Sequence, residues 1–437
     1  MTHALQAHRG EILHFVADPA ADDRAVEHFP DGLLIVRDGR IAACGPHEQL
    51  HHHLDADTPV VDHDGALLLP GLIDTHVHYS QTDIIASPGA HLLEWLERYT
   101  YPAEEAFADP RHAAVVAEFF CDELLRNGTT TASCFATVHP GSVDALFTAA
   151  ARRRMRLIAG KVLMDSNSPA DLRDASAASG DRESRDLIAR WHGHDRLHYA
   201  VTPRFAPASS AEQLHAAGAL FHEIPGLYMQ SHVAETKDEV RWATELFPQS
   251  RSYFDIYDRH QLLGTRAIYA HAIWLDDTDR ARCAATDTSI SFCPSSNLFL
   301  GSGLFDLAAT REHGIRIGLG TDVGAGTSLS LLHTLADAYK VLALRGQHLS
   351  ALEGFYLATL GGARSLHLED TIGSFRPGCE ADFIVIDSRA TPLLARRTAR
   401  AHTLEERLFA VMMLSDQRCI RRTYVLGEER GGDARAS

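Results

Sequence analysis

Eight short apolar segments alternate with longer helix-like segments through the middle of this chain, which limits the folds open to it. The segments with β-strand character are residues 68–78, 129–135, 156–163, 197–203, 227–232, 267–271, 289–293 and 315–321. Between them, stretches such as 111–126 and 211–221 repeat apolar residues with the 3.6-residue period of a helix. Alternating strands and helices form a parallel sheet covered by helices. Eight such units predict an α/β fold, a (β/α)8 TIM-like barrel, with a doubly wound open sheet as the alternative.

Both ends of the chain have the pattern of a second, smaller unit. Residues 32–45 contain a strand, a turn at Asp38-Gly39 and a second strand, which indicates a hairpin. Residues 372–378 and 381–387 again have β-strand composition. We therefore predict a small β-sandwich domain formed by both chain termini, residues 1–67 plus 374–437, and a barrel domain over residues 68–373.

The charge of the chain argues against two classes of partner. Among 437 residues, 41 are Lys or Arg and 58 are Asp or Glu, which gives a formal net charge of -17. Such a surface repels nucleic-acid phosphates and anionic lipids, so we expect no nucleic acid and no membrane among the partners. The first eight residues lack the pattern of a secretion signal. The seven scattered cysteines form no CxxC motif and are typical of free thiols in a reducing, cytoplasmic location.

The residues that could carry chemistry follow the predicted strands, at the ends where barrels place functional side chains. The first strand ends with His76 and His78, which face the same side because they are two residues apart. The fifth ends at His232, the sixth at His271, and Asp322 follows the eighth. Four imidazoles and one carboxylate are therefore expected to meet at one mouth of the barrel.

This combination of side chains predicts a metal centre. Imidazole nitrogens with one carboxylate suit Zn²⁺, Fe²⁺ or a similar divalent ion. Such an ion, with a coordination position open, lowers the pKa of water toward ~7. Glu235 lies three residues beyond His232, where it is placed as a general acid or base rather than as a ligand.

Taken singly, each of these signals is weak. The two histidines at 192 and 194 have the same spacing but lie in a polar stretch interrupted by glycine. Such a stretch predicts that both side chains are on the surface. A lone His271 could be a hydrogen-bonded core residue, and a lone Asp322 could be a helix cap. The metal centre is predicted because the residues occur together on strands one, five, six and eight.

At these residues the sequence resembles the amidohydrolase superfamily. Residues 70–78, Pro-Gly-Leu-Ile-Asp-Thr-His-Val-His, are similar to its first-strand motif. His232, His271 and Asp322 fall where the superfamily places its remaining ligands, and the resemblance extends over nearly the whole chain. Binuclear members carry a carboxylated lysine at the end of strand four. Residues 200–205 contain no lysine, which favours the mononuclear deaminase branch.

Within that branch, the chain looks most like the guanine deaminase family. The similar segments are residues 93–104, residues 202–205, and residues 293–298 with 320–324. Gln81 also matches a position of the family that contacts the base. The resemblance implies hydrolytic deamination of guanine, a small-molecule substrate, to xanthine and ammonia. It also implies one Zn²⁺ per subunit, with Fe²⁺ as the alternative ion, and a homodimer.

The resemblance further implies a role for each site residue. The metal ligands would be His76, His78, His232, His271 and Asp322. The catalytic residues would be Glu235, Asp322 and His271, and the substrate-binding residues Gln81, Arg204, Phe205, His232, Glu235 and Asp322. Without the resemblance, Gln81 could equally be a loop cap, Arg204 a surface ion-pair residue and Phe205 plain core.

Two other functions stay open at this point. One is a related deaminase with the same metal ligands that acts on 8-oxoguanine, a pterin or an aminotriazine. The other is a catalytically inactive scaffold of the same fold that is used for binding. Such scaffolds typically lose ligands, whereas all five ligand candidates and Glu235 are present here.

Overall fold

The computed structural model describes residues 5–22, 24–89 and 91–431 of the chain. Residues 1–4 and 432–437, the two extremities of the predicted small domain, lie outside the described residues. Residues 1–4 are also the first half of residues 1–8, the segment whose sequence lacks the pattern of a secretion signal.

The strands of the described residues fall into three groups along the chain. Four come first: β1 (Leu5–Phe15), β2 (Val26–Arg37), β3 (Arg40–Pro46) and β4 (Val60–Pro70). The next are β5 (Leu72–His78), β6 (Thr129–Phe135), β7 (Arg156–Gly160), β8 (Val162–Leu163), β9 (Leu197–Pro203), β10 (Tyr228–Val233), β11 (Ala267–His271), β12 (Ser289–Phe292) and β13 (Ile317–Leu319). The last are β14 (Phe383–Ile386), β15 (Ile420–Val425) and β16 (Glu428–Gly431).

The α-helices of the described residues lie mostly between the strands of the second group. They are α1 (His47–Leu50), α2 (Leu92–Trp95), α3 (Tyr101–Glu105), α4 (Pro110–Arg126), α5 (Pro140–Arg153), α6 (Ala177–Trp191), α7 (Ala211–Glu223), α8 (Lys237–Leu246), α9 (Tyr253–Arg259), α10 (Asp277–Ala285), α11 (Pro294–Phe299), α12 (Leu307–Glu312), α13 (Leu331–Leu344), α14 (Ala351–Leu357), α15 (Leu360–Ser365), α16 (Pro392–Thr398) and α17 (Leu404–Leu414). A π-helical turn, Leu96–Thr100, joins α2 to α3. In the part of the chain that the structure describes, no helix is long and apolar enough to span a lipid bilayer.

The strands of the second group form a nearly closed parallel barrel. Their order is β5-β6-β7-β9-β10-β11-β12-β13, with the short β8 paired to β9. Two backbone hydrogen bonds join β5 to the segment that follows β13, from Asp322 N–H to His76 O at 2.9 Å and from His78 N–H to Val323 O at 3.0 Å. The predicted (β/α)8 barrel is confirmed, and each of its eight strands lies at one of the eight apolar segments.

The other strands form one continuous sheet from both ends of the chain. Its order is β16-β15-β14-β4-β1-β2-β3. The predicted hairpin joins β2 to β3, with positive φ angles at Asp38 and Gly39, the conformation that tight two-residue hairpin turns require. The prediction of a small β-domain from both termini is confirmed at the level of this sheet. Because β4 stays in the sheet through Pro70, we propose that the two units meet at Gly71.

Helix α4 shows how the outer helices pack on the barrel. Asp109 caps the helix by accepting a hydrogen bond from Arg111 N–H, and Pro110 occupies the first turn, where its missing N–H costs nothing. The buried face carries Ala113, Val116, Ala117, Phe120, Cys121, Leu124 and Leu125. Each large apolar side chain buried in this way contributes ~1.5–3 kcal/mol. Val115 and Phe119, which share the apolar character of this segment, instead face solvent, with 70% and 53% of their surface exposed.

A buried ionic network ties the small sheet to the end of the barrel where the strands begin. Arg156 Nη2 donates to both carboxylate oxygens of Glu380 at 2.8 Å. Arg196 pairs with Glu380 at 2.9 Å and with Asp382. Arg156 and Arg196 stand at the starts of β7 and β9, whereas the two acids precede β14. All four side chains are at least nine-tenths buried, so removing one partner leaves charge buried and unpaired.

We expect Glu380→Ala to lower the free energy of unfolding by about 3–5 kcal/mol, because Arg156 and Arg196 lose their shared carboxylate inside the protein. Denaturant unfolding followed by circular dichroism measures the change. Glu245→Ala, at an exposed position of α8, is the control and should stay within about 0.5 kcal/mol of the parent. Equal stability of the two variants would show that the network does not anchor the small sheet.

Candidate metal centre and active site

The structure brings the predicted ligands together at one mouth of the barrel. His76 and His78 lie at the end of β5, His232 on β10 and His271 at the end of β11, whereas Asp322 follows β13 by three residues. Four of them, His76, His232, His271 and Asp322, each offer a ligand atom, and these atoms all lie within 4.8 Å of one another. The barrel therefore assembles side chains that are up to 246 positions apart in the sequence, from 76 to 322.

His78 belongs to the same cluster. Its Nε2 lies 3.2 Å from Nε2 of His76 and 3.1 Å from Nε2 of His232. Asp322 Oδ1 lies 3.2 Å from His76 Nε2 and 3.4 Å from His78 Nε2. Asp322 Oδ2 lies 3.7 Å from His271 Nε2. All five side chains thus point their donor atoms into one small volume.

Outer hydrogen bonds fix which nitrogen of two imidazoles faces inward. His232 Nδ1 donates to the backbone oxygen of Arg204 at 2.6 Å, and His271 Nδ1 donates to Asn297 Oδ1 at 2.9 Å. Because a carbonyl oxygen only accepts, each Nδ1 carries the proton and each Nε2 presents a lone pair to the cluster. Such outer partners are typical of metal-ligating histidines.

The donor set fits a divalent metal. Two inward lone pairs and a carboxylate gathered this closely repel one another unless a cation lies among them. Burial alone would raise the pKa of Asp322, but the charge of His76 and hydrogen bonds from His76 and His78 hold that pKa well below its usual range. The carboxyl group is therefore ionised, as a metal ligand must be.

The backbone at these strand ends adopts an uncommon conformation. His271 has φ 72°, and Ala234 and Asp322 have φ 50° and 51°. Left-handed conformations cost non-glycine residues of the order of 1–3 kcal/mol and cluster at functional sites. At Gly320, a Cβ atom would stand 2.6 Å from Ser291 Oγ and 2.9 Å from His76 Cβ. Only glycine allows the chain before Asp322 to approach β5 and β12 this closely.

Asp74 supports the cluster through hydrogen bonds to the backbone on both sides of it. Its carboxylate accepts hydrogen bonds from His76 N–H at 3.2 Å, from Thr321 N–H at 3.0 Å and from the Thr321 hydroxyl. Burial raises the pKa of Asp74 to about 7, against the effect of these hydrogen bonds. The side chain links β5 to the segment that presents Asp322.

Glu235 stands beside the cluster without joining it. Its Oε2 lies 3.5 Å from His271 Nε2, and its Oε1 accepts a hydrogen bond from the Ser302 hydroxyl at 2.8 Å. Burial, followed by the negative charge of Asp322, raises the pKa of Glu235 to about 8. Glu239 holds the backbone here, because its Oε2 accepts the N–H of Glu235 at 2.9 Å.

A cavity opens onto the cluster. Its apolar wall is formed by Leu92, Trp95, Leu96, Phe205, Leu300 and Ala325, and its polar lining by His78, Gln81, Arg204, His232, Glu235, Glu239, His271 and Asp322. The cavity therefore offers both polar and apolar surface to a small molecule.

All six predicted substrate-binding residues line this cavity. Gln81 Oε1 accepts a hydrogen bond from Gly324 N–H at 3.1 Å. Arg204 forms a buried ion pair with Glu104 rather than a surface one. Phe205 is buried and meets Trp242 edge-on, with 5.8 Å between ring centroids. By contrast, the histidines at 192 and 194 do not line the cavity.

Several residues of the site were not predicted from the sequence. They are Asp74, Glu104, Glu239, Asn297 and Ser302. Asp74 had a signal, since a carboxylate inside the apolar run 68–78 needs buried partners. Glu239 matches the helix-capping pattern Thr-x-x-Glu with Thr236, so its sequence signal is structural. Nothing in the sequence pairs Glu104 with Arg204, 100 positions away.

Comparison with known proteins adds independent findings. Residues 67–430 match the model of the Amidohydrolase family. The chain is 46% identical to the guanine deaminase of Escherichia coli (strain K12) over 428 residues, 97% of each protein. A solved structure of E. coli guanine deaminase, 45% identical, superimposes with a TM-score of 0.94 over 98% of this chain and 99% of the other.

Two further crystal structures are similar. Guanine deaminase from Bradyrhizobium japonicum is 34% identical, with a TM-score of 0.95 over 99% of this chain and all of the other. Guanine deaminase from C. acetobutylicum, solved with guanine bound in the active site, is 28% identical, with a TM-score of 0.89 over 98% of this chain and 100% of that one.

We expect Asn297→Ala to weaken Zn²⁺ binding about 10- to 100-fold, because His271 loses the partner that fixes its proton on Nδ1. Competition with a chromophoric chelator measures the affinity. Ser295→Ala is the control on the same helix, since Ser295 donates to Asp337 and not to the cluster. Unchanged affinity in Asn297→Ala would remove Asn297 from the support of the metal site.

Proposed function

Since this chain belongs to the amidohydrolase family, we propose that it catalyses the hydrolytic deamination of guanine to xanthine and ammonia. The observation that carries the proposal is the convergence of four histidines, Asp322 and Glu235 on one end of a cavity that also contains Gln81 and Arg204. The extent of the similarity to guanine deaminases, which includes both the barrel and the small sheet, supports guanine as the substrate.

We assign one Zn²⁺ per subunit to the cluster, with Fe²⁺ as the alternative. The residues that would hold it are His76, His78, His232, His271 and Asp322. When bound, the ion supplies Lewis-acid chemistry and lowers the pKa of water toward ~7.

Two carboxyl groups near Nε2 of His271, those of Glu235 at 3.5 Å and Asp322 at 3.7 Å, carry out the acid–base steps. Asp322 accepts a proton from the attacking water at a carboxylate oxygen. Glu235 delivers a proton at Oε2 to the ring nitrogen next to C2, which prevents negative charge from building up there as water adds. Ser302 holds Oε1 of Glu235 and leaves Oε2 directed toward the reacting atoms. Asp322 then passes the proton that it accepted to the departing amine, and the C2–N bond breaks to release ammonia. Glu235 takes the proton of the hydroxyl at C2 as the carbonyl forms, so both carboxyl groups return to their starting states, while His271 steadies the tetrahedral centre.

Other residues of the cavity recognise the base. Arg204 donates hydrogen bonds to the O6 oxygen, and Gln81 bonds along the pyrimidine edge. Phe205 packs on the face of the ring, and an aromatic contact of this kind contributes ~0.5–1.5 kcal/mol beyond the area that it buries. His232, Glu235 and Asp322 complete the substrate contacts at the C2 end. The apolar wall excludes water that would compete for the same polar groups.

A cytoplasmic location and a homodimer are part of the proposal. All seven cysteines are free thiols and six of them are buried, which is typical of a protein from a reducing compartment. The homodimer rests on the family resemblance. The other substrates considered above, 8-oxoguanine, a pterin or an aminotriazine, would use the same metal ligands, and the binding scaffold would not turn over any of them.

We expect ammonia release from guanine with a kcat/KM at least about 100-fold above that for pterin, 8-oxoguanine or melamine, because an added or missing polar group in a buried site costs that much or more. The conversion of guanine to xanthine is followed by absorbance with the metal-loaded protein. A higher kcat/KM for one of the other heterocycles would replace guanine as the substrate. No release from any of them, with metal bound, would favour the scaffold.

We expect Glu235→Gln to retain its metal and to lose about 1,000-fold or more in kcat, because the amide cannot deliver the proton. Metal content is measured by mass spectrometry and kcat by ammonia release. Glu245→Gln, at an exposed position of α8, is the control and should behave like the parent. Near-parental kcat in Glu235→Gln would remove Glu235 from the mechanism.

A further inference from the structure

Glu104 and Arg204 form an ion pair that is withdrawn from solvent at the edge of the cavity. The exposed fractions of the two side chains are 0% and 3%. Both carboxylate oxygens accept from the same nitrogen, Nη1 of Arg204, at 2.8 and 2.7 Å. A guanidinium has five N–H donors, so Glu104 leaves those on Nε and Nη2 for another acceptor.

A second contact from the same helix holds the same guanidinium. Tyr101 and Glu104 are three residues apart on α3 and therefore share one face of the helix. The ring centroid of Tyr101 lies 5.7 Å from Cζ of Arg204. The carboxylate restrains one end of the guanidinium and the ring restrains its plane. A long side chain with many rotamers is thus held in one orientation.

Arg204 is also fixed at its backbone, next to the metal cluster. Its carbonyl oxygen accepts the Nδ1 proton of His232 at 2.6 Å and the backbone N–H of His232 at 3.3 Å. The direction of the guanidinium relative to the cluster is therefore set at both ends of the residue. Only the end at Glu104 can change without disturbing a predicted metal ligand.

We propose that Glu104 is the positioning residue that fixes Arg204 as a donor to a carbonyl oxygen at C6 of the bound base. Glu104 does not itself touch the base. It makes the site prefer purines that carry an oxygen at C6 over purines that carry hydrogen there. The inference rests on the proposed function, because it concerns the same cavity and the same orientation of the base.

A purely structural ion pair predicts a different result. A buried pair adds little stability compared with well-packed apolar residues, although breaking one by removing a partner is costly. If Glu104 only held the fold together, its loss would weaken all ligands alike. If it positions Arg204, its loss weakens only those ligands whose oxygen Arg204 contacts.

Two ligands that cannot be deaminated separate these roles. Hypoxanthine has an oxygen at C6 and no amine at C2, and purine has neither group. We expect the metal-loaded parent to bind hypoxanthine at least about 10-fold more tightly than purine, as one hydrogen bond to a charged group provides. Titration calorimetry measures both dissociation constants.

We expect Glu104→Gln to raise the Kd for hypoxanthine about 10-fold and to leave the Kd for purine within about 2-fold. Glu105→Gln, the adjacent and partly exposed position of α3, is the matched control and should leave both constants unchanged. Melting temperature and metal content establish that each variant is folded. If Glu104→Gln does not fold, Glu104→Asp keeps the buried charge but shortens its reach, and it should reduce the preference for hypoxanthine in the same direction.

An unchanged preference in the folded Glu104 variant, equal weakening of both ligands, or a parent that does not prefer hypoxanthine would each overturn the inference. The proposed function is judged separately, by guanine turnover in the parent. A parent without turnover whose preference for hypoxanthine still depends on Glu104 would contradict the proposed reaction and support the positioning role.

Discussion

Closure of the barrel between its first and last strands is the constraint on which the site depends. Two of the predicted metal ligands, His76 and His78, come from β5, and a third, Asp322, comes from the segment after β13. Two backbone hydrogen bonds and the carboxylate of Asp74 join these segments, and Gly320 allows them to approach. Without this seam, the imidazoles on one side and the carboxylate on the other would have no shared volume.

From this seam, the support for the site spreads outward through a few polar contacts. His232 donates a hydrogen bond to the backbone oxygen of Arg204, and the side chain of Arg204 forms an ion pair with Glu104 on α3. In a separate contact, Glu235 accepts a hydrogen bond from the Ser302 hydroxyl. Arg204 links the predicted metal site to the rest of the cavity, because its carbonyl oxygen accepts a hydrogen bond from His232 while its side chain lines the cavity. The predicted metal site and the proposed substrate site therefore share one continuous set of contacts.

The sequence was sufficient for those features that depend on local periodicity and on chain order. Each of the eight strands was visible as an apolar segment, and the residues at four strand ends could be placed together because parallel strands end at the same edge of a barrel. The polar partners were not predictable, since Glu104, Asn297 and Ser302 act through contacts across the fold that leave no local pattern. The apolar residues of α4 show the same limit, because Val115 and Phe119 share the composition of the buried face and yet face solvent.

The buried ionic network lies at the opposite end of the barrel from the catalytic mouth. Arg156 and Arg196 stand where β7 and β9 begin, and Glu380 and Asp382 bring the small sheet against them. The loops that shape the cavity all leave the other ends of the strands. Over evolutionary time, insertions and exchanges in those loops can alter the accepted heterocycle without loosening the attachment of the second domain, so ligand choice and architecture are free to diverge at separate rates.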